Sequence, residues 1–245
     1  MGVCPSRSRL SIDGRARRCA ARWSGLRCGH DATQLTKIAN AGLRAVVWGG
    51  NYSDSCGWNW SDATFTAKVN AAKASPYGGL IDYVFIADEP HGPGSGACPN
   101  SVADLQARNA LSKSLLPDAK TLISENRKAD WGYVGNIADV FLPIIYPCSY
   151  ANGCVPSKVN DGVTLMNTLG ITRYWATVQA FKEPASGYYR APNALEEQAI
   201  FDRWHTVGAQ SGSWAYSCGD SCCGDDVGLR DLPELWPVWQ AENAS

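Results

Sequence analysis

Residues 81–90 read IDYVFIADEP. From Tyr83 to Ala87 every side chain is apolar or aromatic, the composition of a strand covered on both faces. The run then meets two adjacent carboxylates, Asp88 and Glu89, and after them Pro90, which has no N–H to continue a ladder. Carboxylates at such an end either cap the next element or face a cleft. The stretch that follows, HGPGSGACPN (91–100), is rich in Gly and Pro and opens no helix, which favours the cleft. Neighbouring side chains on a strand point to opposed faces, so one carboxylate can face a substrate while the other reaches sideways to orient it.

Working outward, the same alternation repeats. Helices are predicted over 31–42, 61–75, 101–117, 155–170, 194–209 and 232–243, from capping residues and Gly or Pro stops. Strands are predicted over 43–48, 81–88, 120–126, 139–147, 172–181 and 211–219, each a continuous apolar run. Strands of that kind separated by helices specify a parallel sheet. No GxGxxG or GxxxxGK[ST] follows any strand, which removes the usual reason for an open nucleotide-binding sheet. The strand ends carry Asn51, Asp88-Glu89, Glu125-Asn126, Tyr146, Gln179 and Trp214. Polar and aromatic residues collecting there fit a barrel, whose site lies at the C-terminal ends of its strands. The expected fold is α/β, a (β/α)8 TIM-barrel-like domain over 31–245, incomplete at the N-terminus by two strands.

Residues 1–30 have another character. MGVCPSRSRLSIDGRARRCAARW is rich in Arg and shows neither periodicity nor the apolar core of a signal peptide. It reads as an atypical basic segment, with the true start of the gene missing or read in another frame and the two absent strands lost there.

The chain has 245 residues, 45% of them apolar and 18% charged, with a formal net charge of −1. That balance gives no electrostatic footing for nucleic acid or an anionic membrane, and no apolar run is long enough to span one. Ten cysteines are too many for an ordinary cytosolic enzyme, and no paired CxxC knuckles argue for zinc. Cys56, Cys98, Cys148 and Cys154 fall in loops after strands, so disulfides and secretion are expected. Cys148 and Cys154 are near enough in sequence to close a small loop, whereas the crowded Cys218, Cys222 and Cys223 leave their pairing open. His30, His91 and His205 form no metal-binding spacing, and no GxSxG is present. No metal or cofactor is called for, and the chain is read as a monomer.

The IADEP strand end resembles the fourth-strand Asn-Glu-Pro of clan A glycoside hydrolases, which implies Glu89 as general acid. Counting onward, Tyr146 on the sixth strand and Trp214 on the eighth resemble the order in family 18 chitinases. The adjacent Asp-Glu pair resembles the hexosaminidases of families 20 and 123. The stretch 43–243, with FIADEP, YPC and VQAF, also looks like an actinobacterial group of secreted glycosyl hydrolases without a settled substrate.

What the resemblance implies is therefore glycosidic-bond cleavage in an extracellular glycan. Glu89 has to carry a proton near neutral pH, which aromatic walls and the adjacent charge of Asp88 favour. The pattern departs at the seventh strand, where a retaining enzyme needs a carboxylate about 5 Å from the acid and this chain has Gln179. Asp88 can instead orient a substrate acetamido group that serves as nucleophile, the preferred reading. Glu125 or Glu183 can alternatively supply the second carboxylate. Tyr146, Gln179, Trp214, Trp48, Asn51 and His91 are the expected sugar-binding positions, with Trp58 and Trp60 extending the rim or simply packing. Gln179 also favours the rival reading, a carbohydrate-binding barrel without catalysis.

Overall fold

A computed structural model describes residues 8–12, 32–40, 44–50, 52–53, 56–207, 210–217 and 227–242, with side chains from 35 onward except at 53, 210–217 and 230. The principal elements are β1 (Ser8–Ile12), α1 (Ala32–Asn40), β2 (Ala45–Trp48), α2 (Asp62–Ala74), β3 (Ile81–Asp88), α3 (Ser101–Leu115), β4 (Lys120–Glu125), α4 (Trp131–Val134), β5 (Val140–Pro143), α5 (Lys158–Thr168), β6 (Trp175–Val178), α6 (Ala194–Thr206), β7 (Gln210–Ser217) and α7 (Trp236–Glu242). All six expected strands, β2 to β7, are present.

Two compact units can be distinguished. The first contains the parallel sheet β2-β3-β4-β5, which pairs Trp48 with Phe85, Phe85 with Leu122 and Glu125 with Pro143. Val84, Phe85, Ile86 and Ala87 are buried without alternation, as are Thr121 to Glu125. Continuous burial is what a parallel strand between two layers requires. Helix α2 starts where Ser61 Oγ accepts the Thr64 N–H at 3.2 Å, satisfying one of the orphan donors of the first turn.

Helix α3 carries the buried Arg108. Its guanidinium donates to Gly49 O at 2.5 Å and Trp60 O at 2.8 Å, and its Nε reaches Asp62 Oδ1 at 3.2 Å. The same group lies 4.0 Å from the Trp58 ring centre and 4.7 Å from that of Phe65. The rim segment after β2 is thereby fixed to a helix. Tyr52 Oη–H donates to Asp104 at 2.5 Å, and Cys56 stands at disulfide distance from Cys98, with Cα atoms 5.3 Å apart. Trp58 is also edge-on to Tyr52, and Trp60 lies under Lys68. These two rim tryptophans therefore have packing roles.

The second unit contains β6 and β7, which run parallel and pair Thr177 with Trp214. Strand β1 pairs antiparallel with β7, Ser11 opposite Trp214. The strands of a (β/α)8 barrel are all parallel, whereas β1 runs antiparallel to its neighbour. Helix α6 opens with a capping box: Asn193 Oδ1 accepts the Glu196 N–H and Glu196 Oε2 accepts the Asn193 N–H. Cys148 and Cys154 stand at disulfide distance, with Cα atoms 3.9 Å apart. Among the described residues no helix is long and apolar enough to cross a membrane.

One buried acid in this unit has a consequence for stability. Glu197 of α6 is fully buried, accepts the Trp239 Nε1–H at 2.6 Å, and is pushed up to about 8 by desolvation, the Trp239 bond opposing it. A raised acid stabilises the fold fully below the ordinary glutamate range and loses that contribution as pH rises through the raised value. Glu197→Gln keeps an acceptor for Trp239 and cannot ionise. Its melting temperature should match the parent near pH 4.5 and exceed it at pH 8, by a stability difference on the order of 4 kcal/mol. A parallel pH dependence in both proteins, followed by thermal melting, would contradict that assignment.

Candidate active site

Strands β3 and β4 run side by side and end together, with Asp88 opposite Ser124. Ser124 organises both carboxylate residues beyond that pair. Its Oγ–H donates to Asp88 Oδ1 at 2.5 Å, and the Glu89 N–H points at Ser124 O at 3.0 Å and Ser124 Oγ at 3.3 Å. Asn126 Nδ2 donates to Glu89 Oε2 at 3.2 Å. Asp88 and Glu89 are both half-buried, as groups at a strand mouth should be.

The backbone here is unusual. Glu89 has φ 51° and His91 has φ 54°, left-handed values that cost a residue with a Cβ about 1–2 kcal/mol each. Such a conformation persists only where the surroundings over-determine it. Glu125, which is 0% exposed, does so from β4. Its Oε2 accepts the His91 N–H at 2.9 Å, while its Oε1 accepts the N–H groups of Asn126 at 2.9 Å and Arg127 at 2.8 Å. The His91 ring is half-buried, its Nδ1 3.7 Å from Glu125 Oε1. Further along the loop, buried Asp130 accepts the Ser95 N–H at 2.9 Å. A Cβ on Gly92 would sit 2.8 Å from that same Asp130 oxygen, so the loop needs glycine there.

Asp88, Glu89, His91 and Glu125 are thus brought together in the first unit. Trp48, at the end of β2, is half-buried and edge-on to Phe85, with ring centres 4.9 Å apart. Asn51 lies outside the described residues. Ser124, Asn126 and Asp130 were missed as organisers of the site. A serine within the buried run TLISEN was the available signal for the first, and none marked Asp130.

Tyr146, Gln179 and Trp214 belong to the second unit. Gln179 is buried, and main-chain partners occupy its amide: Oε1 accepts the Cys148 N–H at 2.8 Å, and Nε2 donates to Cys148 O at 2.9 Å and Arg190 O at 2.8 Å. It staples the loop after β5 to the loop after β6. Tyr146 is buried edge-on to Phe181 and Tyr189, with ring centres 4.8 and 5.3 Å away. Trp214 sits in β7, and its side chain lies outside the described residues. Glu183 closes its own turn, its Oε2 accepting the N–H groups of Tyr188 at 2.6 Å and Tyr189 at 2.9 Å. Among the described residues one trio, Cys148, Cys154 and Glu196, brings potential metal-ligand atoms together. The cysteines stand at disulfide distance and Glu196 is paired with Arg190 at 2.6 Å, so the trio is already committed.

No protein-family model and no curated protein matches the chain. Among solved structures it is similar to the GH2 beta-galacturonidase of Eisenbergiella tayi bound to galacturonate, with a TM-score of 0.58 at 15% identity over 86% of this chain and 42% of that one. The glycerol-bound structure of a GH2 beta-galacturonidase from that organism gives the same values. The endo-beta-1,4-mannanase of Thermotoga petrophila gives a TM-score of 0.49 at 14% identity over 74% of this chain and 50% of that one. The chain spans less than half the length of the beta-galacturonidase. At 15% identity that likeness establishes the fold alone, an α/β chain with a parallel sheet that matches part of a TIM barrel.

Proposed function

We propose that the chain is a glycoside hydrolase in which Glu89 protonates the departing glycosidic oxygen. One observation carries the reading: a half-buried glutamate, held left-handed at the end of a parallel strand, with Asn126 Nδ2 donating to its carboxylate and a second carboxylate beside it. A strand's C-terminal end is where barrel enzymes keep their chemistry, and the likeness to a glycosidase supports a sugar as the substrate class. In this reading Asp88, fixed by Ser124, orients the acetamido group of an N-acetyl sugar. Trp48 and His91, in the same unit as Glu89, contact the sugar. The protein works outside the cell, where the two cysteine pairs persist as disulfides.

A second reading is a barrel that binds carbohydrate without cleaving it. Gln179 favours it, standing where the resemblance calls for a nucleophile and spending its amide on main chain. A panel of N-acetylated and neutral oligosaccharides, assayed for new reducing ends and for binding in parallel, separates the two. Release of reducing ends from an N-acetylated member is the expected result. Binding throughout the panel without release would establish the second reading instead.

A further inference from the structure

We infer that Glu125 is a positioning residue whose buried carboxylate holds the turn that presents Glu89, rather than a second catalytic carboxylate. The inference rests on the reading of Glu89 as the acid. Both oxygens of Glu125 are engaged, by the N–H groups of His91, Asn126 and Arg127, and its side chain has no exposure. A carboxylate so enclosed is a poor nucleophile and a strong anchor, because N–H bonds to a charged acceptor are about twice as strong as neutral ones. Its reach across two strands is what matters. The His91 amide lies two residues past Glu89, and both flank Pro90 in left-handed conformations. The Asn126 amide belongs to the residue whose side chain donates to Glu89 Oε2. One buried anion therefore fixes the chain after Glu89 and the residue that contacts its carboxylate. The Glu125 backbone is fixed in turn: its carbonyl accepts the Trp131 Nε1–H and the Ile144 N–H, each at 3.0 Å.

The test is Glu125→Gln, which keeps the shape of the side chain but replaces one acceptor oxygen with an NH2 facing N–H donors. Amide hydrogen exchange at His91, Asn126 and Arg127 should accelerate by about tenfold or more, while α3 keeps its protection. Turnover of a phenyl glycoside of the cleaved sugar should fall by about thirtyfold, within the reach of a misplaced acid. Turnover of the matching dinitrophenyl glycoside, whose leaving group needs little protonation, should fall by less than about threefold. A merely structural defect would depress both substrates equally, and that result overturns the positioning role. So does unchanged exchange at the three amides. Glu125→Asp, which keeps the charge on a shorter stem, gives the same readouts at smaller size should the Gln variant not fold. The exchange measurement needs no substrate. If the parent cleaves no glycoside, the reading of Glu89 falls while exchange still decides whether Glu125 anchors the turn.

Discussion

Glu89→Gln is expected to fold as the parent does and to lose roughly a hundredfold or more in turnover on any glycan the parent cleaves, the scale of lost general acid catalysis. The fold should survive because the contacts described for Glu89 can persist in the amide. Its N–H still meets Ser124 O, and the left-handed backbone, already borne by a residue with a Cβ, is no more strained for Gln than for Glu. An amide oxygen can also accept from Asn126 Nδ2 in place of Glu89 Oε2. What an amide cannot do is release a proton to a departing alkoxide. The loss should therefore be steep on alkyl or sugar leaving groups and shallow on dinitrophenol, measured as kcat/KM for both. Parent-like turnover on a natural glycan would end the assignment of Glu89 as acid.

The end of β3 was legible because a buried apolar run gives way there to two adjacent carboxylates and a proline. The strands β3 and β4 were legible almost to the residue, since burial on both faces leaves an unbroken apolar signature. The strand expected over 139–147 ends at Pro143 instead, the Ile144 N–H making its last ladder bond, to Glu125 O. An apolar stretch reports burial, and Ile144 to Cys148 are buried, but it does not report whether a ladder continues. The left-handed turns at Glu89 and His91 were invisible because neither is glycine or asparagine, the residues whose presence announces that conformation. Glu125 was legible as a carboxylate at a strand end, but its partners are main-chain N–H groups, which have no sequence identity to read. Gln179 shows the same limit, its amide committed to the carbonyls of Cys148 and Arg190 and to the Cys148 N–H.

Arg108→Met, on helix α3, should cost the fold about 3 to 5 kcal/mol. The native guanidinium satisfies two main-chain carbonyls, Gly49 O and Trp60 O, and lies against the rings of Trp58 and Phe65. Stranding the buried Gly49 acceptor costs about 1–3 kcal/mol and the part-buried Trp60 acceptor somewhat less, and losing the ring contacts adds about 1 kcal/mol. Against this stands relief from burying a cation, which pulls the guanidinium below its usual range while Asp62 opposes the shift. Methionine fills much of the same volume and removes that burden, which keeps the net cost from growing further. For a chain of this length the melting temperature should fall by on the order of 10 °C. The ion pair contributes little: the Asp62 side chain is 68% exposed, so Asp62→Ala should change stability by less than about 1 kcal/mol. The comparison discriminates between causes. Equal losses in the two variants, measured by denaturant unfolding, would mean that the Arg108–Asp62 pair anchors the rim. A large loss in Arg108→Met alone assigns that task to the carbonyls of Gly49 and Trp60, and with them the shape of the segment that follows Trp48.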